Sequence, residues 1–416
     1  MDSIHVVSKL DNNKHATFEL PTSSQRRELK PSSILVRTAL ISLTSNNLSY
    51  ARGGSMLHWW DAYPVPSSAP SPFNDAESWG IVPAWGYATV LQSNIAITQG
   101  STVWGFWPTS TAPVQLELTS AGIEGHWIET SPHRQKLMTT YNRYIVQDTT
   151  VTDDVKAWSS LFQGVWQGAY FLNKYVFTAD PAVEQIHPLG SGGAWTTEDA
   201  DLKSAVVVSL SASSKTARSF AYHLASRQAS AGPLALLQIT AFSDLKSPAS
   251  QFPIQTLDYS EVFDRSGTWT AHHSPSKIVV ADFGARGNAL AQLLESFKST
   301  PSLASAKVVV LQIGSQQKVY TGDEMLAARE AMTNFGKIQY NTAGIQDTVM
   351  SRDGQKQYFD EQDKEWEKWL RGVQDNVGNM KIVWLKNVGG EASIEDAWER
   401  LCQGSVASDE GLVIKL

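Results

Sequence analysis

The chain has 416 residues, too many for one hydrophobic core of ordinary size, so two domains are expected, with room for a third. Its 41 acidic against 34 basic residues give a net charge of −7 with no Lys/Arg cluster, which argues against nucleic acid as a partner. The single cysteine, Cys402, rules out an internal disulfide framework and a cysteine-based zinc site, but leaves a His/Asp/Glu metal site open on that count.

The N-terminus, Met1–Val7, lacks the charged start and apolar core of a signal peptide. No stretch approaches the roughly 20 apolar residues of a membrane span, so no membrane partner and a cytoplasmic location are expected. Residues 1 to about 150 read as short strands joined by turns, at Ser33–Ala39, Gly86–Leu91, Ser101–Phe106 and Val114–Leu118. Pro64–Pro72 is a loop. Fifteen tryptophans, many between Trp59 and Trp127, either fill a core or wall a pocket for a large apolar ligand. Trp59, Trp60, Tyr63, Trp85 and Trp107 are the candidate substrate-binding side chains.

Between Val155 and Tyr175 the pattern turns helical, with Trp158, Leu161, Phe162, Val165 and Trp166 on one face, bridging into a second domain. From Leu202 to about Gly314, apolar runs at Ala205–Val208, Leu234–Thr240, Ile278–Asp282 and Val308–Ile313 alternate with helices such as Ala289–Phe297. Unbroken runs separated by crossovers predict a doubly wound parallel sheet whose ligand lies beyond the carboxyl ends of the strands. The tail reads as a polar helix over Asp360–Gln374, a strand at Lys381–Leu385, a helix over Ser393–Gln403 and a closing strand at Gly411–Leu416.

The strand Ala205–Val208 enters a turn of small hydroxyl residues, Ser209–Thr216, and leaves as a helix carrying Ala217, Phe220, Ala221 and Leu224 on one face. A helix N-terminus after a strand offers amide N–H groups and the positive end of a dipole to a phosphate. The usual glycines are missing from this turn. Ser211, Ser213, Ser214, Lys215 and Thr216 supply hydroxyls and a cation around a pyrophosphate instead, while Ala212 and Ala217 keep the backbone approachable.

A β-rich first unit, a parallel nucleotide-binding sheet and a returning C-terminal helix and strand together resemble the medium-chain dehydrogenase/reductase superfamily. The stretches Trp79–Ala88, Gly105–Pro108, Tyr141–Tyr144 and Ser211–Ala217 resemble signatures of a poorly characterised branch of it, long catalogued as a domain of unknown function. The resemblance covers nearly the whole chain. It implies an α/β fold: a GroES-like β-rich substrate domain over 1–170, with about 321–416 returning to it, and a Rossmann-type nucleotide-binding domain over 175–320. Zinc enzymes of the superfamily carry Cys and His where this chain has Leu43–Leu48 and Pro83–Gly86, so no metal is expected. Zinc-free relatives carry Asp where this chain has Asn47, which removes a charge. NADP(H) is the implied cofactor, because the second sheet strand ends without the Asp or Glu an NAD site uses, and Ser243 and Lys246 follow it. Gly284 and Gly314 end the next two strands, where the resemblance implies nicotinamide-side contacts.

Without zinc, a polarising or proton-donating group must come from a side chain. Tyr50, His58, Asp61, Tyr63, Tyr141 and Tyr144 are available in segments that the resemblance assigns to the substrate site, and Tyr141, Tyr144, Asn47 and Tyr50 are the candidate catalytic residues. If Tyr141–Val146 is a strand, Tyr141 and Arg143 face one way and Asn142 and Tyr144 the other. His126, His133, His187, His223 and the pair His272–His273 read as surface or loop histidines.

Two classes of function stay open on the sequence. One is an NADP-dependent reductase acting on an enone, ketone or similar bond of an apolar small molecule, of the kind found in secondary metabolism. The other is a cyclase, isomerase, dehydratase or carbon–carbon lyase on the same scaffold. A homodimer is left open.

Overall fold

The computed structural model describes residues 1–22, 28–148, 150–242 and 244–416. Its first unit, Met1–Gln163 with Gln317–Val319 and Lys381–Leu416, is built around a closed antiparallel barrel. The chain begins with a hairpin, β1 (Asp2–Ser8) and β2 (His15–Leu20), and continues into the long strand β3 (Ser33–Leu43). Helix α1 (Ser45–Arg52) follows, its first turn fixed by a reciprocal cap: Thr44 accepts from the Asn46 amide, and the Asn47 carboxamide accepts from the Thr44 amide at 2.7 Å. The two-residue strand β4 (Trp79–Gly80) pairs with β1. Strands β5 (Pro83–Ser93), β6 (Thr102–Pro108), β7 (Val114–Ser120), β8 (His126–Glu129) and β9 (Arg143–Gln147) complete the N-terminal part.

Strands β3-β5-β6-β9-β8-β7 pair in that order, and Ser33–Val36 of β3 pairs again with β7, which closes the ring. The β3–β5 register shifts between Thr38 and Leu40, next to Gly86. A β-carbon at Gly86 would lie 2.1 Å from the Leu40 carbonyl oxygen, so only a hydrogen fits there.

Helix α2 (Asp153–Phe171) starts in the first unit and ends in the second, and a single π turn, Leu172–Val176, continues it. This is the bridging helix expected over Val155–Tyr175. The second unit is Gly164–Gln316 with Tyr320–Met380. After the short helix α3 (Thr197–Ala200) come β10 (Ala205–Leu210), α4 (Lys215–Ala225), β11 (Ala235–Ile239), β12 (Ile254–Leu257), α5 (Val262–His272), β13 (Lys277–Asp282), α6 (Ala289–Lys298) and β14 (Lys307–Gln312). Helix α7 (Gly322–Asn334), strand β15 (Ile338–Gln339) and helices α8 (Thr342–Asp353), α9 (Gln355–Arg371) and α10 (Val373–Asn376) follow.

The sheet order is β12-β11-β10-β13-β14-β15, every pair parallel. The chain runs outward from the central β10 to β12, then crosses back to β13, the topology of a doubly wound sheet. Every residue of β10, β11 and β13 is buried, which is why these strands read as unbroken apolar runs.

The chain returns to the first unit with β16 (Lys381–Leu385), α11 (Ile394–Cys402) and β17 (Glu410–Lys415). Strand β17 pairs antiparallel with Leu40–Leu43 of β3 and parallel with β16. The fold class expected from the sequence, a β-rich unit plus a doubly wound parallel sheet, is the one observed. The sequence reading returned the whole tail from about 321. Here only Lys381–Leu416 packs in the first unit, because Tyr340, on the segment between β15 and α8, bonds the Gly168 carbonyl of α2 at 2.6 Å and α9 receives Gln167 through Tyr358 and Gln362. Among the described residues no helix is long and apolar enough to cross a membrane.

Filling the Gly86 site forces β3 and β5 apart at the barrel's register shift. Gly86→Ala is expected to lower stability by about 1–3 kcal/mol, measured by urea unfolding followed through tryptophan fluorescence. An unchanged midpoint and slope would mean that β3 moves aside freely.

Candidate active site

The barrel unit concentrates the aromatic residues, and they divide into two kinds. Trp60 is packed between glycines: a β-carbon at Gly54 would lie 2.3 Å from its Nε1, and one at Gly80 would lie 2.4 Å from its ring. Trp107 is fully buried and donates from Nε1 to the Gly86 carbonyl at 3.1 Å. Tyr144 is also fully buried, its ring seated on Gly105 and its hydroxyl within 3.0 Å of the Phe106 carbonyl and 2.9 Å of the Tyr63 hydroxyl. Tyr63 itself donates to the Phe106 carbonyl at 2.6 Å. These four side chains are framework, and the polar atoms of Trp107, Tyr144 and Tyr63 are satisfied inside the barrel.

The second kind surrounds Tyr50. Its ring makes edge contacts with Trp59, Phe106 and Tyr141 at centroid separations of 4.9, 5.0 and 5.8 Å. Its hydroxyl accepts from Trp85 Nε1 at 3.0 Å. Trp85 and Tyr141 are half-buried members of this cluster, 5.7 Å apart, whereas Tyr50 and Trp59 are buried. Burial pushes the Tyr50 hydroxyl up to about 12, partly offset by its bonds to Trp85 and Tyr141. Burial drives Tyr141 well above the ordinary tyrosine value, with Tyr50 adding to the shift. Both groups therefore stay protonated, as a hydrogen-bond or proton donor to a carbonyl oxygen must.

Asn47, expected at the catalytic centre, is buried; it caps α1 and donates from Nδ2 to the Pro83 carbonyl at 2.9 Å. Tyr141 and Asn142 belong to a 3-10 turn, Thr139–Asn142, and the strand begins only at Arg143. The alternation expected for a strand from Tyr141 thus does not apply to Tyr141 or Asn142. Arg134, which the sequence reading missed, fixes this turn. It donates from Nη2 to the Tyr141 carbonyl at 2.9 Å and from Nε to Asn142 Oδ1 at 3.0 Å, while Asn142 Nδ2 donates back to the Arg134 carbonyl at 3.0 Å.

Two histidines expected at the surface are buried. His126 lies under Arg143, and burial lowers it to about 4. His223 packs against the stacked Trp166 and Tyr170 rings in the second unit, where burial lowers it to about 3.

In the second unit the glycine-free turn after β10 adopts the conformation a glycine would supply. Ser211 has φ 59°, in the left-handed region, and its Oγ bonds the Gly284 carbonyl at 2.5 Å and the Tyr259 hydroxyl at 2.8 Å. That position costs a non-glycine residue about 1–2 kcal/mol, which the two hydrogen bonds offset. Ser214 caps α4 by accepting from the Ala217 amide at 3.3 Å. Lys215 and Thr216 open the helix and are half-buried. Ser213 is buried and bonds Thr240 Oγ1 at 2.9 Å at the end of β11.

Gly284 and Gly314 are required by each other's loops: a β-carbon on Gly284 would lie 2.6 Å from the Ser315 carbonyl oxygen, and one on Gly314 would lie 2.5 Å from that of Phe283. Asp282 anchors the same place, accepting from the amides of Gly284 and Ala285 and pairing with Lys337 at 3.1 Å.

Lys246 is exposed and lines a groove of about 280 Å³ with Arg218, Tyr222, Gln238 and Asn376. Ser243 lies outside the described residues. Arg218 escaped the sequence reading because it follows Ala217 on the helix face that reads as apolar. Its guanidinium donates to the Ser213 carbonyl at 2.9 Å and to the Val377 carbonyl at 3.1 Å, and lies 5.9 Å from the Phe242 ring. Among the described residues no group of three His, Cys, Asp or Glu side chains is arranged to hold a metal ion.

Two substitutions at the turn separate strain from bonding. Ser211→Ala loses both side-chain bonds and keeps the strained backbone, whereas Ser211→Gly loses the bonds but relieves the strain. After the entropy of glycine is counted, Ser211→Gly should be more stable than Ser211→Ala by roughly 0.5–1 kcal/mol in urea unfolding. The reverse order would remove the left-handed conformation from the account.

A comparison with curated proteins finds no match. Solved structures match over essentially the full length. CurA from Vibrio vulnificus in complex with NADPH aligns at 10% identity and TM-score 0.53, covering 99% of this chain and 98% of that one. Mycobacterial Rv1454c complexed with NADPH and Escherichia coli quinone oxidoreductase complexed with NADPH each align at 12% identity and TM-score 0.51, covering 100% of both chains. At such identities the likeness is one of fold. A family model described as a protein of unknown function, DUF2855, matches residues 41–407. The chain therefore belongs to the DUF2855 family.

Proposed function

We propose that the protein is a zinc-independent, NADP(H)-dependent reductase of a polarised double bond, an enone or ketone, in an apolar small molecule. The observation that carries this reading is the turn after β10: without glycine it still takes the left-handed conformation at Ser211, and it delivers the capped N-terminus of α4 at the carboxyl end of the central parallel strand. That is where a dinucleotide pyrophosphate binds in such sheets. The three NADPH complexes named above support the choice of cofactor through their shared fold.

In this reading the N-terminus of α4 with Ser214, Lys215 and Thr216 holds the pyrophosphate. Lys246, in the groove it shares with Arg218, meets the 2′-phosphate, with Ser243 beside it in sequence. The close-packed Gly284 and Gly314 leave room for the nicotinamide. Bound NADPH supplies a hydride. Tyr141, backed by Tyr50, donates a hydrogen bond or proton to the substrate oxygen, and the half-buried Trp85 offers an apolar face beside it. Tyr144, sealed beneath Gly105, holds the barrel together in this scheme. Zinc-independence rests on ligand chemistry: Leu43–Leu48 and Pro83–Gly86 supply neither thiol nor imidazole.

Cofactor choice is tested by calorimetry with NADPH and NADH. A charge-assisted contact to phosphate contributes about 1.5–3 kcal/mol, so Lys246→Ala should weaken NADPH roughly tenfold or more and leave NADH nearly unchanged. Equal losses for both would move Lys246 away from the 2′-phosphate.

Chemistry is tested with 4-phenyl-3-buten-2-one and 4S-deuterated NADPH, alongside the 4R isotopomer. Deuterium should appear in the product from one of the two. Tyr141→Phe should slow the chemical step by about 10²–10⁴ with nucleotide affinity unchanged. Because the phenol values are raised, the wild-type rate should show no alkaline fall up to about pH 10. Product formation with no loss of absorbance at 340 nm would replace reduction with a non-redox reaction.

A further inference from the structure

His58 is one of five non-glycine residues in the left-handed region among the described residues, at φ 62° and ψ 18°. Such a conformation costs about 1–2 kcal/mol and concentrates at functional sites. The His58 side chain is half-buried, 31% exposed, so it stays within reach of solvent. What the conformation does achieve is a bond: His58 Nδ1 lies 2.9 Å from Asp61 Oδ2. A carboxylate can only accept, so Nδ1 carries a proton in this bond, and in the neutral ring Nε2 keeps its lone pair. The following residue is Trp59, whose ring touches both Tyr50 and Tyr141, at 4.9 and 5.6 Å. An imidazole oriented by a carboxylate thus stands one peptide from the aromatic ring that borders the two phenols. Asp61 also faces the titratable His133, which is exposed; Asp61 raises its pKa, but partial burial, the largest cause, lowers it on balance.

We propose that His58, positioned by Asp61, is a proton-transfer residue of the barrel-unit site, and that it gives the protein a nucleotide-independent activity: enolisation of a ketone. The proposal rests on the carbonyl-binding role assigned to Tyr141 above. In the step, the α-C–H bond breaks and its proton passes to His58 Nε2, forming an imidazolium. The electron pair enters the carbonyl, and the enolate oxygen is held by the Tyr141 hydroxyl. The imidazolium exchanges its proton with solvent and returns one to the α-carbon. No oxidant, reductant or nucleotide is consumed.

The probe is 4-phenyl-2-butanone in D2O with the intact protein and no nucleotide, its α-deuteration followed by proton NMR. The wild type should exchange well above buffer. His58→Asn, chosen because asparagine tolerates the left-handed region, should lose about 10² of that rate with its urea midpoint preserved. Asp61→Asn should lose about tenfold, and nitrogen NMR of the histidine should show Nε2 no longer exclusively unprotonated. No exchange above buffer by the wild type, or full exchange by His58→Asn, overturns the proposal. The same variants are assayed with labelled NADPH. Exchange without hydride transfer sinks the reductase reading and leaves the dyad standing, while hydride transfer without exchange does the reverse.

Discussion

The barrel site depends on one buried cation. Arg134 is 1% exposed, lies 3.6 Å from the equally buried Glu129, and spreads its guanidinium over the Tyr63 and Tyr144 rings at 5.1 and 5.5 Å. Burial opposes its charge, but the two tyrosines and the carboxylate outweigh that and hold its pKa above the ordinary arginine value. Removing one partner of such a pair costs about 3–5 kcal/mol, because the other is stranded in the core. The same guanidinium clasps the Tyr141 carbonyl and the Asn142 side chain, so the turn bearing the half-buried phenol is only as fixed as the ion pair beneath it. Stability of the barrel and orientation of the candidate proton donor are one problem here.

The second unit meets its own constraint by substitution of means. A glycine at Ser211 would reach the left-handed conformation at no steric cost, but would bring no side chain. Serine accepts strain and returns two hydrogen bonds, to Gly284 on the loop after β13 and to Tyr259 just before α5. The turn after β10 is thereby tied to the next crossover in the sheet. Gly284 is in turn packed against Ser315 and anchored through Asp282, which Lys337 holds from the segment before β15. Three strand ends are thus locked to one another by short polar contacts, which would pre-organise the proposed nucleotide site without the usual glycine pattern.

Much of this fold is legible in the residues because the physics is local. Strands buried on both faces, such as Val206–Val208 and Ile278–Val280, must read as unbroken apolar runs, and the helical face of α2 shows in the spacing of Trp158, Phe162 and Trp166. What the sequence hides is long-range or conformational. The hairpin of β1 and β2 escapes because His15–Leu20 alternates weakly and gains its apolar partner only from Ile4 and Val6 across the pair. The tail from Tyr320 to Met380 stays in the second unit through bonds such as Tyr340 to Gly168, which no periodicity announces. His223 reads as polar until the stacked Trp166 and Tyr170 rings are seen against it. The left-handed backbones of Ser211 and His58 are equally invisible, since neither is a glycine or an asparagine.

The heavy aromatic load acquires a different meaning once it is divided. Trp60, Trp107, Tyr63 and Tyr144 are matched to glycines or to backbone carbonyls at fixed distances, so replacing any of them opens a cavity or strands a polar group. Trp85 and Tyr141 have an open side and touch mainly other rings. If the proposed site is the right one, a change of substrate size would be absorbed at Trp85, Tyr141 and the loop that carries His58, without disturbing the closed barrel. A lineage built on this barrel could vary its substrate while the Gly54–Trp60–Gly80 sandwich and the Arg134–Glu129 pair stayed fixed, which divides the unit into a rigid frame and a narrow adjustable face.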